Sequence, residues 1–364
     1  MSTIRDVADA LRDRLETVIF GKRRAIDDVL TCLFAGGHLL IEDVPGTAKT
    51  LLARSLARLL GGDFARLQCT PDLLPGEVTG SSVYRPDTRA FEFHPGPVFA
   101  HVLLADEINR ATPRTQSALL EAMAEGQVTV DGTTRPLPAP FFVIATQNPV
   151  DQEGTFPLPE AQLDRFLLKI SIGYPPPDAE DRMLVEDAVD PLAGLEPVLS
   201  PAGLAKVQQA VRQVTVHPEI RRWIIELATT TRDSEDFHLG CGPRATRGLY
   251  RAAQARAAMD GRRWVTPDDV RSLILPVFAH RVLLSPKARI ERVTAIDAIE
   301  TASRLVSVPN PPAGRAAAAP RSAPAPARPS SAGALDELPL PPEPASTARP
   351  SAPAPRRPLT LDDA

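Results

Sequence analysis

The chain has 364 residues, with 41 Lys and Arg against 45 Asp and Glu, a formal net charge of −4, and hydrophobic and charged shares of 43% and 24%. It is long enough for two compact units. Its slight acidity excludes a general attraction to phosphate backbones, and no basic stripe in the globular part supplies a local one. The 39 prolines are far above ordinary usage and gather toward the C-terminus, while Cys32, Cys69 and Cys241 are odd in number and widely spaced, as buried or idle thiols of a reducing compartment are.

Taken in chain order, Ile4, Val7, Leu11, Leu15 and Val18 recur at helical spacing among charges, unlike the apolar core of a signal peptide. No later run approaches the roughly 20 apolar residues that span a bilayer, so no membrane insertion and a cytoplasmic location are expected. A second helical stretch covers about 22–35. His38–Ile41 is then a short apolar run ending in acids, read as a buried parallel strand. Comparable runs at 64–68, 101–105, 141–145 and 166–172, most separated by helical patterns, indicate an α/β fold with a doubly wound parallel sheet, whose function gathers at the carboxyl ends of its strands. Two stretches change to alternating periodicity, 82–93 and 127–134, the second with an Asp131-Gly132 turn, and each is expected to be a β-hairpin or else a plain loop. Beyond Tyr174-Pro175-Pro176-Pro177 the strands are expected to cease. Amphipathic helices at about 178–190, 201–214, 218–232, 243–260, 267–278 and 291–306 make a helical domain. The expected division is 1–173, an α/β domain; 174–307, an all-α domain; and 308–364, a disordered Pro/Ala-rich tail. That tail carries six arginines against five acids and almost no large apolar side chains, too few to offset ordering entropy.

The chemistry begins at Glu42-Asp43-Val44-Pro45-Gly46-Thr47-Ala48-Lys49-Thr50, between a strand and the helix opened by Leu51. A phosphate-binding loop needs this setting. Backbone N–H groups and the helix N-terminus face the anion, Lys49 reaches the β/γ-phosphates, and Thr50 ligates magnesium. Asp43 and Ala48 stand where the strict pattern has its first and last glycines; Pro45-Gly46 still makes the tight turn. About 56 residues further on, an apolar strand ends in Asp106-Glu107. Asp106 suits magnesium coordination, and Glu107 suits the general base for an attacking water; a plain solvated strand end is the other reading. The next strand runs into Thr146-Gln147-Asn148-Pro149, which places the Asn148 amide beside that strand end to orient the water. Arg165, after a short helix, is either a finger that reaches a neighbouring subunit's ATP or a structural ion-pair partner. Arg244, behind Pro243 at a helix start, is either a link from the lid to the γ-phosphate or simply exposed.

These residues fall in the order of AAA+ ATPases, and the words around them resemble the MoxR family. They are Thr70-Pro71-Asp72-Leu73-Leu74-Pro75, Gly96-Pro97-Val98-Phe99-Ala100, Ala105-Asp106-Glu107-Ile108-Asn109-Arg110-Ala111, Thr115 to Met123, Ala145-Thr146-Gln147-Asn148-Pro149 and Leu158 to Phe166. The resemblance covers about residues 4–305 and implies a P-loop NTPase sheet of the AAA+ kind, with 1–173 as the nucleotide-binding domain and 174–307 as the helical lid domain. It implies that Lys49 and Thr50 belong to Walker A, Asp106 and Glu107 to Walker B, Asn148 to sensor 1, Arg165 to the arginine finger and Arg244 to sensor 2. It further implies that Phe20 and Gly21 lie near the adenine and that the 82–93 hairpin is a helix-2 insert. Cys241-Gly242-Pro243 departs from the usual Ser/Pro lead-in to sensor 2, and Glu77 stands where a Ser-Asp pair is frequent.

The expected activity is ATP hydrolysis with Mg2+ in a homo-oligomeric ring, a hexamer if Arg165 acts in trans, coupled to remodelling of a client protein. By resemblance, the partner carries a von Willebrand factor A domain. The other readings are a magnesium-chelatase ATPase subunit, a nucleic-acid motor, and a non-hydrolysing scaffold. The motor would need its hairpins to follow phosphates, yet Arg85, Arg89 and Arg135 are balanced there by Asp87, Glu92 and Asp131, so no nucleic-acid partner is expected.

Overall fold

The computed structural model describes residues 3–44, 46–148, 154–186 and 191–310. Pro45, Pro149 and the tail from residue 311 lie outside the described residues.

Two helices open the chain, α1 (Ile4–Glu16) and α2 (Arg23–Phe34). A reciprocal capping box fixes the start of α1: the Thr3 hydroxyl accepts from Asp6 N, and the Asp6 carboxylate accepts from Thr3 N at 2.7 Å. Then come β1 (Leu39–Glu42), α3 (Lys49–Leu59), β2 (Phe64–Gln68), α4 (Pro75–Thr79), the hairpin β3 (Gly80–Arg85) and β4 (Ala90–Pro95), and β5 (Val102–Asp106). After α5 (Pro113–Glu125) a second hairpin, β6 (Gln127–Val130) and β7 (Thr133–Pro136), leads to β8 (Phe142–Gln147), α6 (Glu160–Leu163) and β9 (Leu168–Ile170). Five strands pair in parallel in the order β2-β5-β8-β1-β9.

This order places β8 between β1 and β5, so the loops leaving the carboxyl ends of all three converge. Side-chain alternation divides the core. Leu39, Ile41, Val102, Leu104, Phe142 and Ile144 face one apolar cluster, and Leu40, Leu103, Ala105, Val143 and Ala145 face the other. Strands buried on both faces read as unbroken apolar runs, which is why the sequence pattern located them. Both expected hairpins form, each with an antiparallel register. At the base of the first, Gly80 (φ +92°) and Gly96 cross so closely that a Cβ on Gly96 would lie 2.3 Å from Val78 O.

The remaining elements are α7 (Pro177–Glu186), α8 (Pro201–Val211), α9 (Pro218–Asp233), β10 (Phe237–Leu239), α10 (Pro243–Met259), α11 (Pro267–Phe278), β11 (Leu283–Leu284), α12 (Pro286–Ile290) and α13 (Ala295–Arg304). The expectation that strands cease after residue 177 is corrected by β10 and β11, an antiparallel ribbon pairing Phe237 with Leu284 and Leu239 with Leu283. Strands this short show no periodicity to detect. Of the thirteen helices among the described residues, eight begin at proline, which fits the first helical position because its absent N–H would have had no partner there. Leu204, Trp223, Leu249 and Leu273 of the helical part share one apolar cluster with Leu33, Leu39 and Leu56. No helix among the described residues is long and apolar enough to cross a membrane. Cys32, Cys69 and Cys241 are free and buried, and burial pushes the Cys69 and Cys241 thiols up to about 12, so both stay protonated and unreactive.

Candidate nucleotide site

The residues leaving β1, β5 and β8 meet in a cavity of about 460 Å3 lined by Gly46 to Leu51, Arg66, Asp106, Glu107, Thr146, Gln147 and Asn148. Lys49, Thr50, Asp106, Glu107 and Asn148 are thus brought together from segments distant in sequence.

Asp43 is almost fully buried and explains why the loop dispenses with its first glycine. Its Oδ2 accepts from Ile172 N at 2.8 Å and Gly173 N at 2.6 Å, and its Oδ1 accepts from Val44 N at 3.0 Å. A carboxylate taking several backbone donors staples the loop to the segment leaving β9. Gly46 (φ +84°) and Ala48 (φ +58°) take left-handed conformations; Ala48 therefore carries strain that glycine would avoid. Lys49 Nζ donates to Val44 O at 2.7 Å and Asp43 O at 3.2 Å, which holds its ammonium against the loop.

The two acids are fixed by different means. Thr146, buried on β8, donates from its hydroxyl to Asp106 Oδ1 at 2.7 Å and accepts from Glu107 N at 2.8 Å. Arg66 on β2 donates to Asp106 Oδ2 at 2.7 Å, and the Glu107 carboxylate receives Gln68 at 3.3 Å and Arg110 at 3.2 Å. Glu107 itself, which lines the cavity, has φ +57°, a left-handed conformation that a residue with a side chain adopts only with strain. Arg66, Gln68 and Thr146 escaped sequence reasoning; the alternation of β2, which sends residues 66 and 68 to one side, was the available signal for the first two. The donor set suits Mg2+: a hydroxyl from Thr50 and a carboxylate from Asp106 are hard oxygen ligands on one cavity wall, and Arg66 shows that the carboxylate accommodates a cation.

At Gly46, Thr47, Ala48 and Leu51 this cavity meets a larger one of about 860 Å3, walled by Val18, Ile19, Phe20, Ile172 and Pro175 among others. Its size and apolar wall suit a nucleoside. The Arg182 guanidinium stacks 4.5 Å above the Phe20 ring. Gly21 (φ +69°) does not line this cavity; a Cβ there would lie 2.8 Å from Pro176 Cδ, so glycine lets the two segments pass.

Neither Arg165 nor Arg244 lines either cavity. Arg165 donates to Leu120 O at 2.6 Å, and Arg244 pairs at 3.2 Å with Asp164. Asp164 also receives Arg281 at 2.8 Å, a buried guanidinium that reaches Leu167 O and Phe166 O as well and was not foreseen. These bonds tie the end of α11 to the strip carrying Arg165.

Comparison with known proteins gives this geometry its relatives. Residues 38–168 match the model of the ATPase family associated with various cellular activities (AAA), and residues 229–302 match that of the AAA lid domain. YeaC of Bacillus subtilis (strain 168), an uncharacterized protein, is 46% identical over 298 residues, 82% of this chain and 93% of the relative. Chaperone MoxR1 of Mycobacterium tuberculosis (strain ATCC 25618 / H37Rv) is 39% identical over 304 residues, 81% of this chain and 80% of the relative. A crystal structure of a protein from Cytophaga hutchinsonii ATCC 33406, suggested there to be an ATPase, superposes with a TM-score of 0.79 at 36% identity, covering 84% of this chain and 96% of that one.

Proposed function

We propose, because the chain belongs to the MoxR family of AAA+ ATPases, that it binds and hydrolyses ATP in a homo-oligomeric ring and spends the cycle on remodelling a partner protein. The observation that carries this reading is the convergence of Lys49, Thr50, Asp106, Glu107 and Asn148 on one cavity continuous with a nucleoside-sized one.

In this reading the loop 43–51 cradles the phosphates, and Phe20 packs near the base. Thr50 and Asp106 hold Mg2+, which when bound neutralises phosphate charge. Glu107 takes the proton of the attacking water while the Asn148 amide orients it. Glu107 is free to act once its carboxylate leaves Gln68 and Arg110. Because Arg165 is bonded to Leu120 O and lies outside its own cavity, it serves the ATP of an adjacent subunit, and a closed hexameric ring completes every site. Arg244 couples the lid, residues 174–307, to the nucleotide-binding domain, residues 1–173. The two hairpins contact the client. A chaperone-like role follows the name of the Mycobacterium relative, and a partner with a von Willebrand factor A domain follows the family resemblance.

The test is affinity capture from cell extract with Glu107→Gln, expected to bind ATP without hydrolysing it, beside Lys49→Ala, expected not to bind it. A protein retained only by Glu107→Gln and only with ATP supports remodelling. Identical capture by both variants, or capture of nucleic acid, overturns it, and an ATP-dependent partner without the expected domain overturns that assignment alone.

A further inference from the structure

The helical part carries a groove that the nucleotide chemistry does not use. Arg212 just beyond α8, Arg221 of α9, and Arg247 and Arg251 of α10 ring a hollow of about 430 Å3. Its apolar side includes Ile225, 54% exposed, and the half-buried Tyr250. The platform is fixed: buried Gln254 of α10 donates to Val214 O at 2.7 Å and to Arg212 O at 3.3 Å, binding α10 to the turn after α8.

All four arginines are exposed, and none makes an ion pair or donates a side-chain hydrogen bond among the described residues; no carboxylate lines the groove. Other exposed arginines, such as Arg23, Arg85 and Arg304, do hold a nearby glutamate; what sets these four apart is that they line one hollow together. Arg247 and Arg251 stand one turn apart on the same helix face, where like charges repel. Partial burial first, and then the like charges of Arg247 and Arg212, lower the Arg251 pKa. Four guanidinium forks around an aliphatic patch match carboxylates spaced along a peptide with an aliphatic side chain between them. A nucleic-acid backbone needs a longer basic track with stacking platforms.

We infer that this groove is a docking site for a partner protein, which presents an acidic peptide segment carrying an aliphatic residue. The arginines grip its carboxylates, and Ile225 and Tyr250 receive its apolar side chain. The site does not depend on the hydrolytic reading.

The full-length chain is titrated at low ionic strength into a fluorescein-labelled synthetic peptide alternating Glu and Leu. The same peptide with Gln for every Glu, and single-stranded oligothymidine of equal charge, are run beside it. The acidic peptide should bind, with an affinity that falls as salt rises, while the Gln peptide and the oligonucleotide bind at least about tenfold more weakly. Arg247→Glu with Arg251→Glu should weaken binding by about tenfold or more, and Ile225→Ser by severalfold. Arg247→Lys with Arg251→Lys keeps charge and fold but loses the fork geometry, so it should bind more weakly than the parent. The lysine variant carries the test if charge reversal unfolds the chain, which melting would show. Absent binding, equal binding of the Gln peptide or the oligonucleotide, or unchanged affinity in the lysine variant overturns the proposal. So does charge reversal that alters sedimentation of the protein without altering peptide affinity, since the groove is then a contact between copies of this chain.

Discussion

The cavity at the strand ends and the cluster around Asp164 both gather charged groups, but they are built in opposite ways. At the strand ends, Lys49, Asp106 and Glu107 are positioned by neighbouring parallel strands, the loop between them and one buried hydroxyl, Thr146, so their arrangement is complete within one chain. Around Asp164, Arg244 and Arg281 share one carboxylate, and neither lines either cavity. Groups that bind and polarise can be fixed in advance by a sheet. Groups held outside the cavity need a second body or a moving part to bring them to it.

The sharpest break in that contrast comes from the strand-end acid. Glu107→Gln should reduce ATP turnover by about 10²–10⁴-fold while nucleotide affinity, measured with a fluorescent ATP analogue, stays within about twofold. Arg165→Ala should cost about 10³-fold in turnover, again with binding preserved. Mixed with Glu107→Gln chains, it should regain part of that loss through rings in which one subunit's arginine serves another's intact site; a mixture as inactive as its parts would place Arg165 in its own site or in a structural role. Asp43→Ala tests whether the loop is held by its staple. Removing the acceptor of three backbone donors should lower unfolding stability in urea by about 3 kcal/mol and weaken ATP binding with it. Thr146→Val, nearly isosteric, leaves Glu107 N without its hydroxyl acceptor and should cost about 1–3 kcal/mol, read as a fall in kcat larger than any rise in KM. Ala48→Gly relieves the left-handed strain but frees the unfolded chain, so its gain in thermal stability should stay below about 1 kcal/mol.

The same contrast governs what could be read from the sequence. The sheet was legible because strands buried on both faces are unbroken apolar runs, and the phosphate loop because its setting between strand and helix survives the loss of two glycines. The positioning groups were not. Thr146 stood within a quoted motif, yet its hydroxyl acts across strands, and a pairing between β5 and β8 leaves no mark on either segment alone. Arg281 is harder still: in sequence it is one more arginine after a helix, and only packing shows it buried beneath Asp164. The β10–β11 ribbon escaped because its strands are too short to show a period.

Arg281 has a mechanical consequence. Its guanidinium is bonded to the carboxylate of Asp164 and to the carbonyls of Phe166 and Leu167, so a rotation of α11 that preserves those bonds carries Arg165 along as the rim of a wheel follows its hub. Because Leu167 N also donates to His38 O at 2.7 Å, such a rotation pulls directly on the β1–β9 edge of the sheet.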